Sequence, residues 1–104
     1  PASQPAGLDG QEIFLGSGGC AACHTIEGVS QGLVGPDLSH LGTDAATRNP
    51  DLSAEEYISE SITDPEAFVA DVPRAIPGIM TAAITSGLSD DEVKALVDFL
   101  LAQK

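Results

Sequence analysis

Apolar residues recur most regularly in the last part of the chain. From Val93 onward they are spaced by three and four residues, so they fall on one face of a helix. Ser89 can cap the first turn, Glu92 completes a capping box, and Leu88 can pack back onto the helix. The pattern predicts an amphipathic helix after Ser89, with a buried stripe of Val93, Leu96, Val97, Leu100 and Leu101.

A second helix start lies near the beginning of the chain. Asp9 is placed to cap it, with Glu12 three residues later. Leu8 can pack against Ile13 as a hydrophobic staple, and Gly16 marks the end of the pattern. We therefore expect a short helix between Asp9 and Gly16.

A third helix start lies in the middle of the chain, where Ser53 and Glu56 repeat the capping-box spacing. This helix should stop before Asp64-Pro65, because the residue before a proline resists the α conformation. Asp64 can then cap a short second helical piece, with Pro65 at its first position and Phe68 facing inward. The sequence thus predicts three main helices and one short one.

Two long segments carry turn-forming residues instead of a helical pattern. Glycine and proline interrupt any period between residues 25 and 50, and prolines stiffen an extended loop over residues 72–80. Strand signals are essentially absent. The prediction is an all-α fold whose long irregular segments pack against something other than a helix.

Composition limits the chain to one small domain with few aromatic side chains. Its 104 residues include no Trp, one Tyr and three Phe, and the formal net charge is −12, from 16 acidic and four basic residues. This balance argues against nucleic acids and anionic membrane surfaces as partners. No apolar run in the sequence is long enough to span a membrane. We interpret residues 1–7 as a linker or processed N-terminal segment and residues 8–104 as the domain.

Both cysteines of the chain lie in one motif, Cys20-Ala21-Ala22-Cys23-His24. This C-x-x-C-H spacing is typical of covalent c-type haem attachment. The two thiols can form thioethers with the vinyl groups of one porphyrin, and His24 is then carried to where its imidazole can bind the iron. The motif predicts one haem c, bound covalently through Cys20 and Cys23.

Two other uses of the cysteines compete with haem attachment. A thioredoxin-like dithiol needs a strand before the motif, whereas the loop-forming Gly16-Ser17-Gly18-Gly19 precedes it here. A zinc site needs further ligands, and His40 is the one other histidine. Haem attachment fits the flanking sequence better than either alternative.

The chain resembles a class I c-type cytochrome, the family of small helical monohaem electron carriers. The resemblance runs from about Asp9 to Lys104 and rests on the C-x-x-C-H motif, on Gly35-Pro36-Asp37-Leu38, and on Met80 before the last helix. It implies the class I cytochrome c fold, in which the N- and C-terminal helices cross and loops wrap the haem. The motif order is similar to that of bacterial domains fused to respiratory oxidase subunits.

The resemblance also implies roles for residues around the haem. The Pro36 carbonyl would accept a hydrogen bond from His24, and Met80, the only methionine, would be the second axial ligand of the iron. His40 is the rival for that position. Three candidates could hold the haem propionates at the edge of the ring: Arg48, Arg74 and Tyr57.

The function implied by the resemblance is one-electron transfer in a respiratory chain, by a carrier and not by an enzyme. One alternative is a domain through which electrons enter a larger membrane-bound oxidase or respiratory complex. A less favoured alternative is a haem enzyme or gas sensor with an open axial position. We expect a periplasmic or other extracytoplasmic location, with a membrane tether upstream of Pro1 as an option, and a redox partner with a basic or apolar docking face.

Overall fold

The computed structural model describes residues 9–104, apart from the side chain of Ala82. The predicted linker at residues 1–7 and the Leu8 staple lie outside the described residues. None of the helices in the described part combines the length and the apolar character needed to cross a membrane. In chain order the elements are α1 (Gly10–Leu15), a 3-10 turn (Cys20–Ala22), β1 (Thr25–Ile26), β2 (Ser30–Gln31), α2 (Leu41–Arg48), α3 (Ala54–Thr63), α4 (Ala82–Thr85) and α5 (Asp90–Leu101).

Three helices begin where the capping signals predict. At the start of α1, the Asp9 carboxylate accepts a hydrogen bond of 2.9 Å from the backbone N–H two residues later. In α3, Ser53 Oγ accepts from Glu56 N at 3.1 Å while Glu56 Oε1 accepts from Ser53 N at 2.9 Å. Ser89 and Glu92 make the same two bonds in α5. These bonds satisfy N–H groups that a helix leaves unpaired at its first turn.

α1 packs directly against α5 and forms one half of the core. Gly10 lies against the carbonyl oxygen of Ala95 and the Cβ of Phe99, so a side chain at Gly10 would overlap both. The rings of Phe14 and Phe99 are 5.7 Å apart and tilted by 53°. The first and last helices of the described chain are therefore in contact, as predicted.

α2 and α3 pack against each other and against α5 to complete the core. Of the predicted α5 stripe, Leu96, Val97 and Leu100 are buried, whereas Val93 and Leu101 are half-buried at its margins. The buried apolar residues are Ile13, Phe14, Ile26, Leu41, Ala45, Tyr57, Ile58, Ile62, Ala95, Leu96, Val97 and Leu100.

The short helix expected after Asp64 does not form. α3 ends at Thr63, and residues 64–67 make a turn closed by a hydrogen bond of 3.1 Å from Ala67 N to Asp64 O. A piece this short gains too few hydrogen bonds to offset the entropy of helix nucleation. Phe68 nevertheless faces inward, as predicted, with its ring edge-on to Tyr57 at a centroid distance of 6.1 Å.

The segment from residue 25 to 50 is more regular than the sequence suggested. β1 and β2 form a small antiparallel pair, with Ile26 opposite Ser30. α2 was missed because Gly42 reads as a helix breaker. Gly42 instead lies so close to the Leu101 carbonyl that no side chain would fit, and its N–H donates to Gln103 O at 2.7 Å. Packing against the end of α5 therefore outweighs the low helix propensity of glycine.

Candidate functional site

An open, mainly apolar groove reaches from the surface to the core residues of α5. It is lined by residues from all five helices and from the loops 34–38 and 65–80. All eight residues predicted to hold the cofactor lie on its walls: Cys20, Cys23, His24, Pro36, Arg48, Tyr57, Arg74 and Met80.

The C-x-x-C-H motif forms a compact turn on one wall of this groove. Gly19, with φ of 66°, leads into the 3-10 turn, and Cys20 O accepts hydrogen bonds from Cys23 N at 3.1 Å and from His24 N at 2.9 Å. The two thiols are free and half-buried. Both cysteines and the histidine therefore lie on a single turn and line the same groove.

The environment of the cysteines disfavours the two alternative chemistries. Burial raises the pKa of the Cys20 thiol to about 11, whereas a reactive dithiol depends on a lowered pKa. Among residues 9–104, no group of three or more His, Cys, Asp and Glu side chains could hold a metal ion. The zinc hypothesis therefore finds no ligand set in this part of the chain.

His24 is held as a neutral imidazole by the loop that follows it. Its Nδ1 donates a hydrogen bond of 2.7 Å to Pro36 O, since a carbonyl oxygen can only accept. Burial lowers the pKa of His24, the Pro36 carbonyl opposes this shift, and the charge of Arg74 adds to it. The Nε2 atom therefore keeps its lone pair, as a metal-binding histidine requires.

Two glycines allow the chain to approach the motif closely. A Cβ on Gly35 would lie 2.7 Å from Cε1 of His24, and a Cβ on Gly32 would lie 2.7 Å from both the Ala21 oxygen and the Cys23 carbonyl carbon. Gly35 N donates to Cys23 O at 2.6 Å. Glycine is thus required at both positions because any side chain would push the loop off the histidine.

The charges that line the groove are opposite in sign to those of the whole chain. No Asp or Glu side chain is among its lining residues, although the sequence has 16 of them, and two of the four basic residues do line it. Arg48 is 17% exposed and pairs with Asp44 at 3.6 Å. An apolar groove with two arginines suits a flat apolar group that carries carboxylates.

The sequence model of the cytochrome c family matches residues 8–104. The chain belongs to the cytochrome c family. Its cofactor is therefore haem c, attached through Cys20 and Cys23, and its general role is haem-based electron transport. No curated protein sequence matches the chain.

The groove of this cytochrome c fits the haem that the family carries. The thiols lie at the motif spacing, one histidine nitrogen is available to the iron, and the walls are apolar around two arginines. The predicted all-α class I cytochrome c fold is confirmed as well. The helices and the two loops together form a pocket that would bury the haem ring, and none of its lining residues is acidic.

The two candidates for the second axial ligand differ in position. Met80 is half-buried and lines the groove, directly after the turn in which Ile79 N donates to Ile76 O at 3.4 Å. His40 is exposed at the beginning of α2, outside the groove lining. The geometry therefore favours Met80 over His40.

Arg74 occupies a backbone conformation that few arginines adopt. Its φ is 69°, and it is the one non-glycine residue of the described chain with positive φ. Pro73 precedes it in a turn closed by a hydrogen bond of 3.1 Å from Ala75 N to Val72 O, where glycine is usual. This conformation was not predicted from the sequence.

Sequence reasoning missed the apolar rim of the groove. Ile76, Ile79 and Ile84 line it and are 58%, 49% and 54% exposed. A partial signal existed, because these isoleucines flank Met80 in segments without helical periodicity. They are the residues that haem would cover.

Proposed function

We propose that this cytochrome c carries single electrons in a respiratory chain, with His24 and Met80 as the two axial ligands of its haem iron. Haem iron supplies a one-electron couple between Fe(III) and Fe(II). The proposal is carried by one observation: Met80 lines the same groove as His24, whose Nδ1 is already engaged by Pro36. A methionine on the second side would leave no axial position for a substrate.

The protein contributes to this chemistry by fixing His24. The bond from Nδ1 to Pro36 O sets the tautomer and orients the ring, and it makes Nε2 a stronger donor. Gly35 keeps the loop close enough for this bond to form. Holding the ligand in one orientation limits the rearrangement that accompanies each electron transfer.

The roles of Arg48, Arg74 and Tyr57 follow from charge and position. A half-buried arginine is stabilised by a carboxylate, and the haem propionates are the carboxylates that a class I cytochrome brings to such a groove. Arg74 adopts its strained conformation in a turn beside the groove, which suggests that its side chain has a function there. Tyr57 lines the same groove from α3.

Axial ligation is tested by the spectrum of the oxidised protein. Met80→Ala should abolish the far-red methionine-to-iron charge-transfer band and lower the reduction potential, because a soft thioether stabilises Fe(II). His40→Ala is the matched control and should leave both unchanged. A wild-type protein without the band would contradict the proposal. A low-spin spectrum that becomes high-spin in His40→Ala would then assign the position to His40, and a high-spin wild-type spectrum would favour an open-site enzyme or sensor.

The second candidate is a domain through which electrons enter a larger membrane-bound oxidase or respiratory complex. Residues 1–7, rich in Pro, Ala and Gly, have the composition of a linker and would tether the domain of residues 8–104. Cytochrome c domains are typically extracytoplasmic, and we propose a periplasmic location for this one. The full-length gene product decides between a tethered and a free carrier.

A further inference from the structure

Charged residues are almost absent from the part of the chain that carries the haem-binding motif. Between Ile13 and Pro36 the only charged residue is Glu27, although the whole chain contains 16 acidic and four basic residues. This segment of the chain is therefore nearly neutral in itself, although Glu92 of α5 accepts a hydrogen bond of 3.3 Å from Ser17 Oγ within it. The acidic side chains lie elsewhere, chiefly from Asp37 onward.

The most exposed large apolar side chain of the described residues lies in this neutral segment. Leu33 is 73% exposed, and its neighbour Val34 is 52% exposed. Val34 lines the groove, whereas Leu33 does not. Because Leu33 does not line the groove, haem bound there would leave this side chain exposed at the surface.

Leu33 is held in place by the backbone on both sides. Thr25 Oγ1 donates to Gly32 O at 2.5 Å, and Gly35 N donates to Cys23 O at 2.6 Å. Gly32 also lies against the backbone of the haem-binding motif. We call residues 32–35 the docking strip. Its backbone presents the apolar side chains of Leu33 and Val34 to solvent, directly after the close contact at Gly32.

We propose that Leu33 is the apolar anchor of the docking site for the redox partner, a protein whose contact face has an apolar centre with basic side chains around it. This inference rests on the proposed electron transfer. The apolar centre follows from the docking strip, and the basic surround follows from the net charge of −12 on the rest of the chain. A second copy of this chain would bring the same negative charge and is disfavoured. One electron passes to the partner, so this protein is oxidised by one electron as the partner is reduced by one, without bond formation.

The test compares two electron acceptors for the haem-loaded, reduced protein. The protein acceptor is a lysine-rich cytochrome c of the mitochondrial type, and the small acceptor is ferricyanide, which is hydrophilic and makes no apolar contact. Leu33→Ser should lower the second-order rate constant with the protein acceptor roughly tenfold, as expected when one buried leucine is lost from an interface. The rate with ferricyanide should stay unchanged. The slope of the salt dependence should also stay unchanged, because no charge is altered.

Leu15→Ser is the matched control. Leu15 is 48% exposed in the same neutral segment but lies at the end of α1, outside the docking strip. An equal loss of rate in both variants, or no loss in Leu33→Ser, would overturn the assignment. A wild-type protein that fails to reduce ferricyanide would instead overturn the proposed function.

A binding measurement gives a second readout that does not depend on electron transfer. Titration of the isotope-labelled haem protein with a zinc-substituted lysine-rich cytochrome c should shift the amide resonances of residues 32–34 first. Shifts confined to α3 or α5 would overturn the proposal. A wild-type dimer that Leu33→Ser converts to a monomer would also overturn it, since the occupant would then be a second copy.

Discussion

The two walls of the haem groove are built in different ways. The His24 wall, residues 20–38, is connected to itself by hydrogen bonds from Gly35 N to Cys23 O, Leu38 N to Thr25 O and His24 Nδ1 to Pro36 O. In the loop of the Met80 wall, residues 69–85, the backbone hydrogen bonds of the described residues join near neighbours, at Val72–Ala75 and Ile76–Ile79. The first wall is held together by its own hydrogen bonds, whereas the loop of the second leaves Ile76 and Ile79 58% and 49% exposed.

This difference indicates how the two ligands are controlled. In the folded protein a ligand on the His24 wall is positioned by hydrogen bonds within the chain, because its loop has satisfied its own backbone groups. A ligand on the Met80 wall gains its position from the apolar burial that haem provides. We therefore expect removal of the haem to affect mainly the Met80 wall. Substitutions that prevent close backbone contact should affect mainly the His24 wall.

The largest effect should come from removing the haem. In Cys20→Ala/Cys23→Ala, which cannot attach it, helicity measured by circular dichroism should fall strongly, since the Met80 wall loses its packing partner and the small core is left open. Hydrogen exchange should be fastest in residues 69–85 and slower in residues 20–38. His40→Ala, which keeps both cysteines, is the control. A fully helical apo-protein that melts cooperatively would contradict this expectation.

A single methyl group should disturb the His24 wall. Gly35→Ala places a Cβ 2.7 Å from His24 Cε1, so the loop must move away and the bond to Pro36 must lengthen. We expect the free energy of unfolding of the haem-loaded protein to fall by about 1–3 kcal/mol, the usual cost of overpacking. Gly87→Ala is the matched control, because open space surrounds Gly87. Equal stability of the two variants in denaturant titrations would show that the close contact at Gly35 does not affect the free energy of unfolding.

The Met80 wall can be tested through the strained turn at Arg74. Arg74→Gly should relieve backbone strain of about 1 kcal/mol. It should also lower the reduction potential, because a cation in the groove disfavours the more positive Fe(III). Arg74→Lys keeps both the charge and the strain, so its potential should stay near that of the wild type. Identical potentials of the two variants in a spectroelectrochemical titration would exclude a role for the charge.

The smallest effect should appear at acidic pH on the His24 wall. Hydrogen bonds from Ser39 hold the pKa of the Asp37 carboxyl below its ordinary value of 3.8, with a further contribution from Arg74. A lowered pKa in the folded state means that this stabilisation is present above pH 3.8 and is lost as the pH falls below it. Asp37→Asn should therefore flatten the pH dependence of unfolding slightly in that range. Asp51→Asn, in the exposed turn before α3, is the control, and an equal flattening there would contradict the assignment to Asp37.

Most of the fold and of the candidate site could be predicted from local signals in the sequence. Capping boxes at Ser53 and Ser89 placed two helices correctly, because such bonds form between residues three apart and need no tertiary information. The motif around Cys20 and the Gly35-Pro36 loop placed the cofactor site for the same reason. These features depend on spacing along the chain.

What the sequence could not provide depends on contacts between distant residues. α2 is stabilised where Gly42 packs on Leu101, a contact that no local pattern records. The positive φ of Arg74 and the exposure of Ile76 and Leu33 likewise follow from how the loops pass the groove. The small helix α4 is fixed by Thr85, whose Oγ1 donates to Ile62 O at 2.6 Å across to α3.

The burial of Cys20 has a consequence for the order of events in maturation. Thioether formation uses sulfur as the nucleophile, and burial raises the pKa of the Cys20 thiol to about 11, so that little of it is ionised at pH 7. A chain that had already folded would thus present its first attachment sulfur in an almost unreactive form. Attachment is therefore favoured while the chain is still extended. Haem would then be attached before the helices pack, and the chain would fold around its own bound haem.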